Sequence, residues 1–233
     1  MNIIVTGASR GIGFELVKYF SQFPEHRIIA IARNEALLEK LKQECFEEHS
    51  VDIISCSQDL CDRQYKSLLA ATDSWDCIDI LINNAGYLVN KPFEKLDQSD
   101  WNKLLDINLL SIVDLTKQLM SKLKASEHAH IVNIGSMGGY QGSSKFPGLS
   151  AYSVAKGALA ILTECLAEEL KDYNISSNCL CLGAVNTNML NEAFPGYQAP
   201  VEPKDMAAII GHFALNNHKV MNGQIIPVTL SNP

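Results

Sequence analysis

No apolar run in the 233-residue chain approaches the roughly 18 residues that cross a bilayer, so no membrane-embedded function is expected. Positive charge is also scarce. The chain carries 19 basic against 26 acidic residues, a net charge of −7, and no lysine- or arginine-rich run. That balance argues against a nucleic acid or an anionic membrane as partner. The seven cysteines are odd in number and scattered, and only Cys179-x-Cys181 is a close pair. It lacks the two-residue gap and the second pair of a zinc site, which leaves buried, reduced thiols and no metal. His128-x-His130 likewise has no further ligands nearby in sequence. Linkers, low-complexity tracts and repeats are missing, so residues 1–233 read as a single domain. The first strand begins at Asn2, which leaves no room for a leader peptide, and a cytoplasmic location is expected.

What the chain does have is 47 % apolar residues in an alternating pattern, enough for a sheet buried on both faces. Short apolar runs predict strands at Asn2–Val5, Arg27–Ala32, Val51–Cys56, Ile78–Ile82, Ile131–Ile134, Ile175–Leu180 and Gln224–Val228. Between them, helical periodicity predicts helices after Gly13, after Asn34, at Arg63–Ala71, at Asp100–Lys124, from Ser150 to about Tyr173, and at Lys204–Leu215. Ser99 or Asp97 can cap the fourth of these. Strand–helix alternation of this kind implies right-handed crossovers and a doubly wound α/β fold, a parallel sheet of about seven strands with helices on both faces. Such a Rossmann-type sheet binds ligands at its carboxyl edge.

Several stretches fall at that edge. Gly7-Ala-Ser9-Arg10-Gly11-Ile12-Gly13 lies between the first strand and the first helix. Glycines there permit positive φ and let phosphates approach the backbone, and the helix N-terminus offers free N–H groups to a pyrophosphate. The second strand ends Ala32-Arg33, with no carboxylate at positions 31 to 34. An acidic side chain there would bind a free ribose 2′-OH, whereas Arg33 suits a 2′-phosphate. Asn108 stands among apolar residues of the predicted fourth helix and needs buried partners. Ser136 ends the fifth strand beside glycines. Tyr152 and Lys156 are four residues apart on the next helix, so they share a face. A fixed ammonium beside a phenol favours the phenolate and is expected to lower the tyrosine pKa from its usual value near ~10.

Taken together, Thr6-Gly-Ala-Ser-Arg-Gly-Ile-Gly13, Asn83-Asn-Ala-Gly86, and Asn108, Ser136, Tyr152 and Lys156 in that order resemble the short-chain dehydrogenase/reductase superfamily in its compact form. The resemblance covers essentially the whole chain. It implies an oxidoreductase in which Tyr152 exchanges a proton with the substrate oxygen and Ser136 hydrogen-bonds that oxygen. Lys156 would tune Tyr152 and hold the nicotinamide ribose, and Asn108 would order a proton-supplying water chain. It further implies that Gly7, Ser9, Gly11, Ile12 and Gly13 hold the dinucleotide. Asp59 and Leu60 would meet the adenine, Asn83, Ala85 and Gly86 the adenosine ribose, and Val185 and Thr187 the carboxamide. Arg10 looks like a second 2′-phosphate clamp, which makes NADP(H) the expected cofactor. Homo-oligomers, dimer or tetramer, are implied through the helices around 100–124 and 151–172, where Ile161, Leu162, Leu166 and Leu170 lie beyond the catalytic end.

Two departures stand out. Leu182-Gly183 replaces the family's Pro-Gly, so the carboxamide loop is expected to be less rigid. The stretch before Tyr152 is long, so Gln141–Leu149 is expected to wall the substrate pocket. With a substrate loop around 187–203, the expected activity is reversible hydride transfer between the cofactor and a small carbonyl or alcohol. Aldehydes, ketones, pterins and acyl thioesters all fit. The alternatives are a non-catalytic dinucleotide sensor, which has no need of Tyr152 and Lys156, and an extended-branch epimerase or dehydratase, which needs a larger C-terminal region.

Overall fold

A computed structural model describes residues 1–230. Seven parallel strands form one sheet: β1 (Asn2–Thr6), β2 (Arg27–Ala32), β3 (Ile54–Ser57), β4 (Ile80–Asn83), β5 (Ala129–Ser136), β6 (Ile175–Leu182) and β7 (Ile225–Val228). Their spatial order is β3-β2-β1-β4-β5-β6-β7. The order reverses between β1 and β4, the place where an open α/β sheet splits to form a crevice.

Eight α-helices cover the faces: α1 (Gly11–Ser21), α2 (Glu35–His49), α3 (Lys66–Thr72), α4 (Gln98–Leu105), α5 (Ser111–Lys124), α6 (Ser150–Glu169), α7 (Asn188–Ala193) and α8 (Pro203–Asn216). Alternate strand residues feed alternate cores, as a period of two requires. Ile3, Val5, Ile28 and Ala30 pack with Leu16, Phe20, Leu38 and Ile210 on one face. Ile4, Ile29 and Ile31 pack with Leu68, Leu115, Leu119 and Leu123 on the other. No helix among the described residues is long and apolar enough to cross a membrane.

The long helix expected over 100–124 is interrupted. It starts at Gln98 behind a capping box, in which Asp97 accepts from the Asp100 N–H and Asp100 reaches back to Asp97. It then widens into a π turn over Asp106–Leu110 before resuming as α5. Asn108 sits in that turn. The helix expected from Arg63 begins only at Lys66, because Tyr65 adopts φ +47° and Arg63 is drawn to Asp106 and Asp114. The Tyr65 hydroxyl donates to the carbonyls of Leu60 (3.0 Å) and Ser111 (3.3 Å), which explains why a bulky residue holds that conformation. Helix α6 stops at Glu169, and a short 3-10 turn over Lys171–Tyr173 follows. Of the apolar residues expected beyond its catalytic end, Leu170 follows the helix and is in the core at 7 % exposure, whereas Ile161 is 59 % exposed.

His130 is fully buried between β6 and α8. One ring nitrogen, Nδ1, donates to the Ala214 carbonyl (3.0 Å), and Nε2 accepts from Asn178 Nδ2 (3.0 Å). Burial pushes its pKa down to about 4. His218, its ring 5.7 Å away, is also lowered by burial and by the Lys219 and His128 charges. A group depressed in the folded state stabilises the fold fully above its unfolded pKa near ~6.5 and loses that stabilisation as pH falls toward about 4. The His130 contribution is roughly 3 kcal/mol at most, from about 1.4 kcal/mol per pKa unit. Urea midpoints should therefore fall between pH 7 and 4, and less steeply in His130→Asn. An equal pH slope in that variant would contradict this.

Candidate active site

Because every strand is parallel, every strand-to-helix loop opens on one edge. There a cleft of about 1060 Å³ runs from the ends of β2 and β3 to the ends of β5 and β6. Its centre is built by two loops zipped together. Thr6 Oγ1 accepts from the N–H groups of Asn84 and Ala85, both at 3.0 Å, and donates to the Ile82 carbonyl. Asn84 Nδ2 donates to the Thr6 carbonyl at 2.9 Å. Gly7 takes φ +69°, and a Cβ on it would lie 2.8 Å from the Ala85 Cα. A Cβ on Gly13 would lie 2.3 Å from the Gly7 carbonyl oxygen, so α1 seats directly on the turn.

Helix α1 begins at Arg10 and Gly11 with no side-chain cap and no acid in its first turn. Its first N–H groups therefore lack side-chain acceptors where Ser9, Gly11 and Ile12 line the cleft. Uncapped donors, a positive dipole end and a cradle that a Cβ would fill together suit the pyrophosphate of a dinucleotide.

At the β2–β3 end, Arg33 lines the cleft, is exposed, and has no acidic partner among the described residues. Asp59 and Leu60 stand at the same end, where Asp59 Oδ1 accepts from the Cys61 N–H at 2.9 Å. Arg10 also lines the cleft. Its Nη1 pairs with Glu192 Oε1 on α7 at 3.2 Å, so the glycine turn is tied across the cleft. Both side chains are more than half exposed, and such a pair holds weakly.

Asn83 departs from its expected position. It is 1 % exposed and lies beneath the cleft floor, where Nδ2 donates to Asn133 Oδ1 (2.8 Å). Asn133 donates in turn to Thr163 on α6 (2.9 Å). The neighbouring Asn84 lines the cleft together with Ala85 and Gly86.

At the other end, Ser136 closes β5, and its Oγ accepts from the Gly138 N–H at 3.2 Å. The short turn that follows packs on α6, since a Cβ on Gly139 would lie 2.6 Å from the Lys156 carbonyl carbon. That contact brings Ser136, Tyr152 and Lys156 to one wall of the cleft. Lys156 Nζ donates to the Ile134 carbonyl at 2.7 Å. Asn108 lies just behind the wall, fully buried. Its Oδ1 accepts from the Tyr87 N–H (3.1 Å), and its Nδ2 donates to the carbonyls of Tyr87 (2.8 Å) and Leu104 (2.9 Å). A Cβ on Gly86 would reach within 3.1 Å of Asn108 Oδ1 and 3.7 Å of Lys156 Nζ.

The electrostatics run opposite to the sequence expectation. Burial pushes the Tyr152 phenol up to about 12, against a smaller downward pull from the Ser136 hydroxyl. Burial likewise pushes the Lys156 ammonium down to about 8. Four-residue spacing places the two on one face, but the lysine is turned to a backbone carbonyl and both charges lack water. Desolvation is the largest cause of both shifts.

Beyond β6, Val185 bridges to Val201, and the Asn186 N–H donates to the Val201 carbonyl at 2.8 Å. Asn186 Nδ2 also donates to Glu202 at 2.9 Å, so this loop is tied down without proline. Thr187 caps α7, accepting from the Leu190 N–H. Helix α7 opens the stretch expected to be a loop. Residues 143, 144, 146 and 149 line the cleft, as the long stretch before Tyr152 suggested. Lys103 and Ile107, one turn apart on the same side, were missed as lining residues. An i, i+4 stripe ending beside Asn108 was the available signal.

A short-chain dehydrogenase family model matches residues 1–198. The 3-oxoacyl-[acyl-carrier-protein] reductase FabG of Chlamydia muridarum is 28% identical over 97% of this chain and 94% of that protein. A putative short-chain dehydrogenase from Pseudomonas syringae superposes with a TM-score of 0.89 at 26% identity, covering 97% of this chain and 93% of that one. The L-sorbose reductase of Gluconobacter frateurii, solved with NADPH and L-sorbose, shares the fold with a TM-score of 0.87 at 21% identity, over 98% of this chain and 94% of that one. With the family match spanning most of its length and its loops converging on Ser136, Tyr152 and Lys156, the chain belongs to the short-chain dehydrogenase/reductase family of oxidoreductases.

Proposed function

We propose that the protein is an NADP(H)-dependent carbonyl reductase that also runs in the alcohol-oxidising direction. The observation that carries this reading is the convergence of Ser136, Tyr152 and Lys156 at one end of a cleft whose other end presents Arg33 without an acid. When bound, the cofactor supplies or accepts the hydride. The protein's own part is to position the carbonyl and to move the proton. Tyr152, a neutral phenol whose pKa burial pushes further up, donates its phenolic proton to the carbonyl oxygen. Ser136 donates a hydrogen bond to the same oxygen and stabilises the charge that develops there. Lys156, four residues along the same helix face, fixes the corner through the Ile134 carbonyl. Asn108, anchored by Tyr87 and Leu104, holds the π turn that backs this corner.

Tyr152→Phe should lower kcat by at least about a hundredfold, the scale of general-acid help, while cofactor affinity changes little. A fully active variant would remove Tyr152 from the chemistry. Arg33 supports the preference for the phosphorylated cofactor. An arginine–phosphate contact favours NADPH over NADH by roughly ten- to a hundredfold in kcat/KM. Ala32→Asp combined with Arg33→Ala should erase or invert that ratio. Equal use of the two cofactors by the native protein would overturn the assignment.

A further inference from the structure

The sheet order gives the cleft two unlike ends. Arg10, Arg33 and Asp59 belong to the end formed by β1, β2 and β3. At the β5–β6 end, the cleft-lining residues of 136–149 and 182–197 include one charged side chain, Glu192, whose carboxylate is engaged by Arg10, while Lys145, beside that lining, donates to the Tyr140 carbonyl and the Ser143 hydroxyl. Lys103, on the facing wall, holds its ammonium 4.2 Å from the centre of the Tyr87 ring.

Much of the remaining surface is apolar, beside the polar side chains of Ser144, Thr187 and Asn188. Met137, Phe146, Leu149, Met189, Phe194 and Tyr197 line it. Met189 reaches into the reacting corner, its Cε 3.9 Å from where a Cβ on Gly86 would stand. Phe146 and Tyr197 are each 50% exposed, so two large rings flank the mouth in contact with water. Such area is released from water when an apolar ligand covers it. The Ser143 hydroxyl is turned back onto the carbonyls of Met137 and Tyr140 and offers little to a ligand.

We propose, building on the carbonyl-reductase reading, that the substrate is an uncharged ketone or aldehyde with an apolar chain or ring. Its carbonyl oxygen lies at Ser136 and Tyr152, and its body lies between the 143–149 wall and α7. A polyhydroxylated ketose would lose more hydration against this apolar area than the few polar groups of the wall can replace. A distal carboxylate would be desolvated against this apolar area, where Lys103, the cation lining the facing wall, is already held over the Tyr87 ring. Two methionines and two loop aromatics adapt to different bodies, so selection acts on apolar area more than on one shape.

The test is a series of unbranched methyl ketones, with a keto acid of matched length and a ketose, at saturating NADPH. Calorimetric binding of the matching alcohols is measured in parallel. Both kcat/KM for the ketones and affinity for the alcohols should rise about fourfold per buried methylene. The keto acid and the ketose should be at least about tenfold poorer than the ketone of equal length. Phe194→Ala and Tyr197→Ala should each flatten the chain-length slope in both measurements. Turnover with a flat or falling slope, or with the ketose or keto acid preferred, would overturn this inference and leave the reductase reading standing. Alcohol binding with the expected slope but no turnover of any carbonyl would contradict the reductase reading and support the pocket. Neither binding slope nor turnover would overturn both.

Discussion

The ammonium of Lys156 donates to the carbonyl of Ile134, and the arrangement of the corner follows from that bond. It links α6 to β5 two residues before Ser136, so helix and strand cannot slide without leaving a buried cation unpaired. Such a loss is costly for a cation this deeply buried. The turn after Ser136 packs against the same residue through Gly139, and Gly86 leaves the space between Lys156 and Asn108 clear. Deeper still, Asn83, Asn133 and Thr163 tie β4, β5 and α6 together by hydrogen bonds. The reacting side chains are thus held by backbone and by buried polar links, and not by surface ion pairs.

The same sheet that fixes this corner separates charge along the cleft. Parallel strands put every loop on one edge, and the reversal between β1 and β4 lets the glycine turn face the loop after β4. Thr6 joins the two loops by accepting both N–H groups at 3.0 Å. From that hub the cleft extends toward cationic residues on one side and toward methionines and aromatics on the other. A ligand with a phosphate-bearing part and an apolar part matches this division.

Much of this was legible in the residues. Strand and helix order came from periodicity, and the glycine turn, Ser136, Tyr152 and Lys156 fall on the carboxyl edge by position alone. What escaped depends on facing and burial. Asn83 is the last residue of β4, so its side chain follows the strand's alternation into the interior, and Asn84 takes the cleft wall. Arg10 meets Glu192 across 182 positions of sequence, a contact no local pattern reveals. The π turn around Asn108 keeps helical periodicity nearly intact, so it reads as uninterrupted helix. Four-residue spacing reports that Tyr152 and Lys156 share a face and is silent on water, and burial pushes the phenol's pKa up.

Tyr152 is thus a buried phenol whose pKa is pushed up, and Lys156 a cation that burial has made easier to deprotonate. The direct test is an NMR titration of the protein labelled at the tyrosine ring carbon bearing the hydroxyl and at the lysine ε-carbon, with Tyr152→Phe and Lys156→Arg used for assignment. The Tyr152 phenol should titrate well above a free tyrosine, toward about 12, and Lys156 well below a free lysine, near about 8. A Tyr152 phenol that loses its proton at or below neutral pH, beside a Lys156 that keeps its own past pH ~10, would contradict the account.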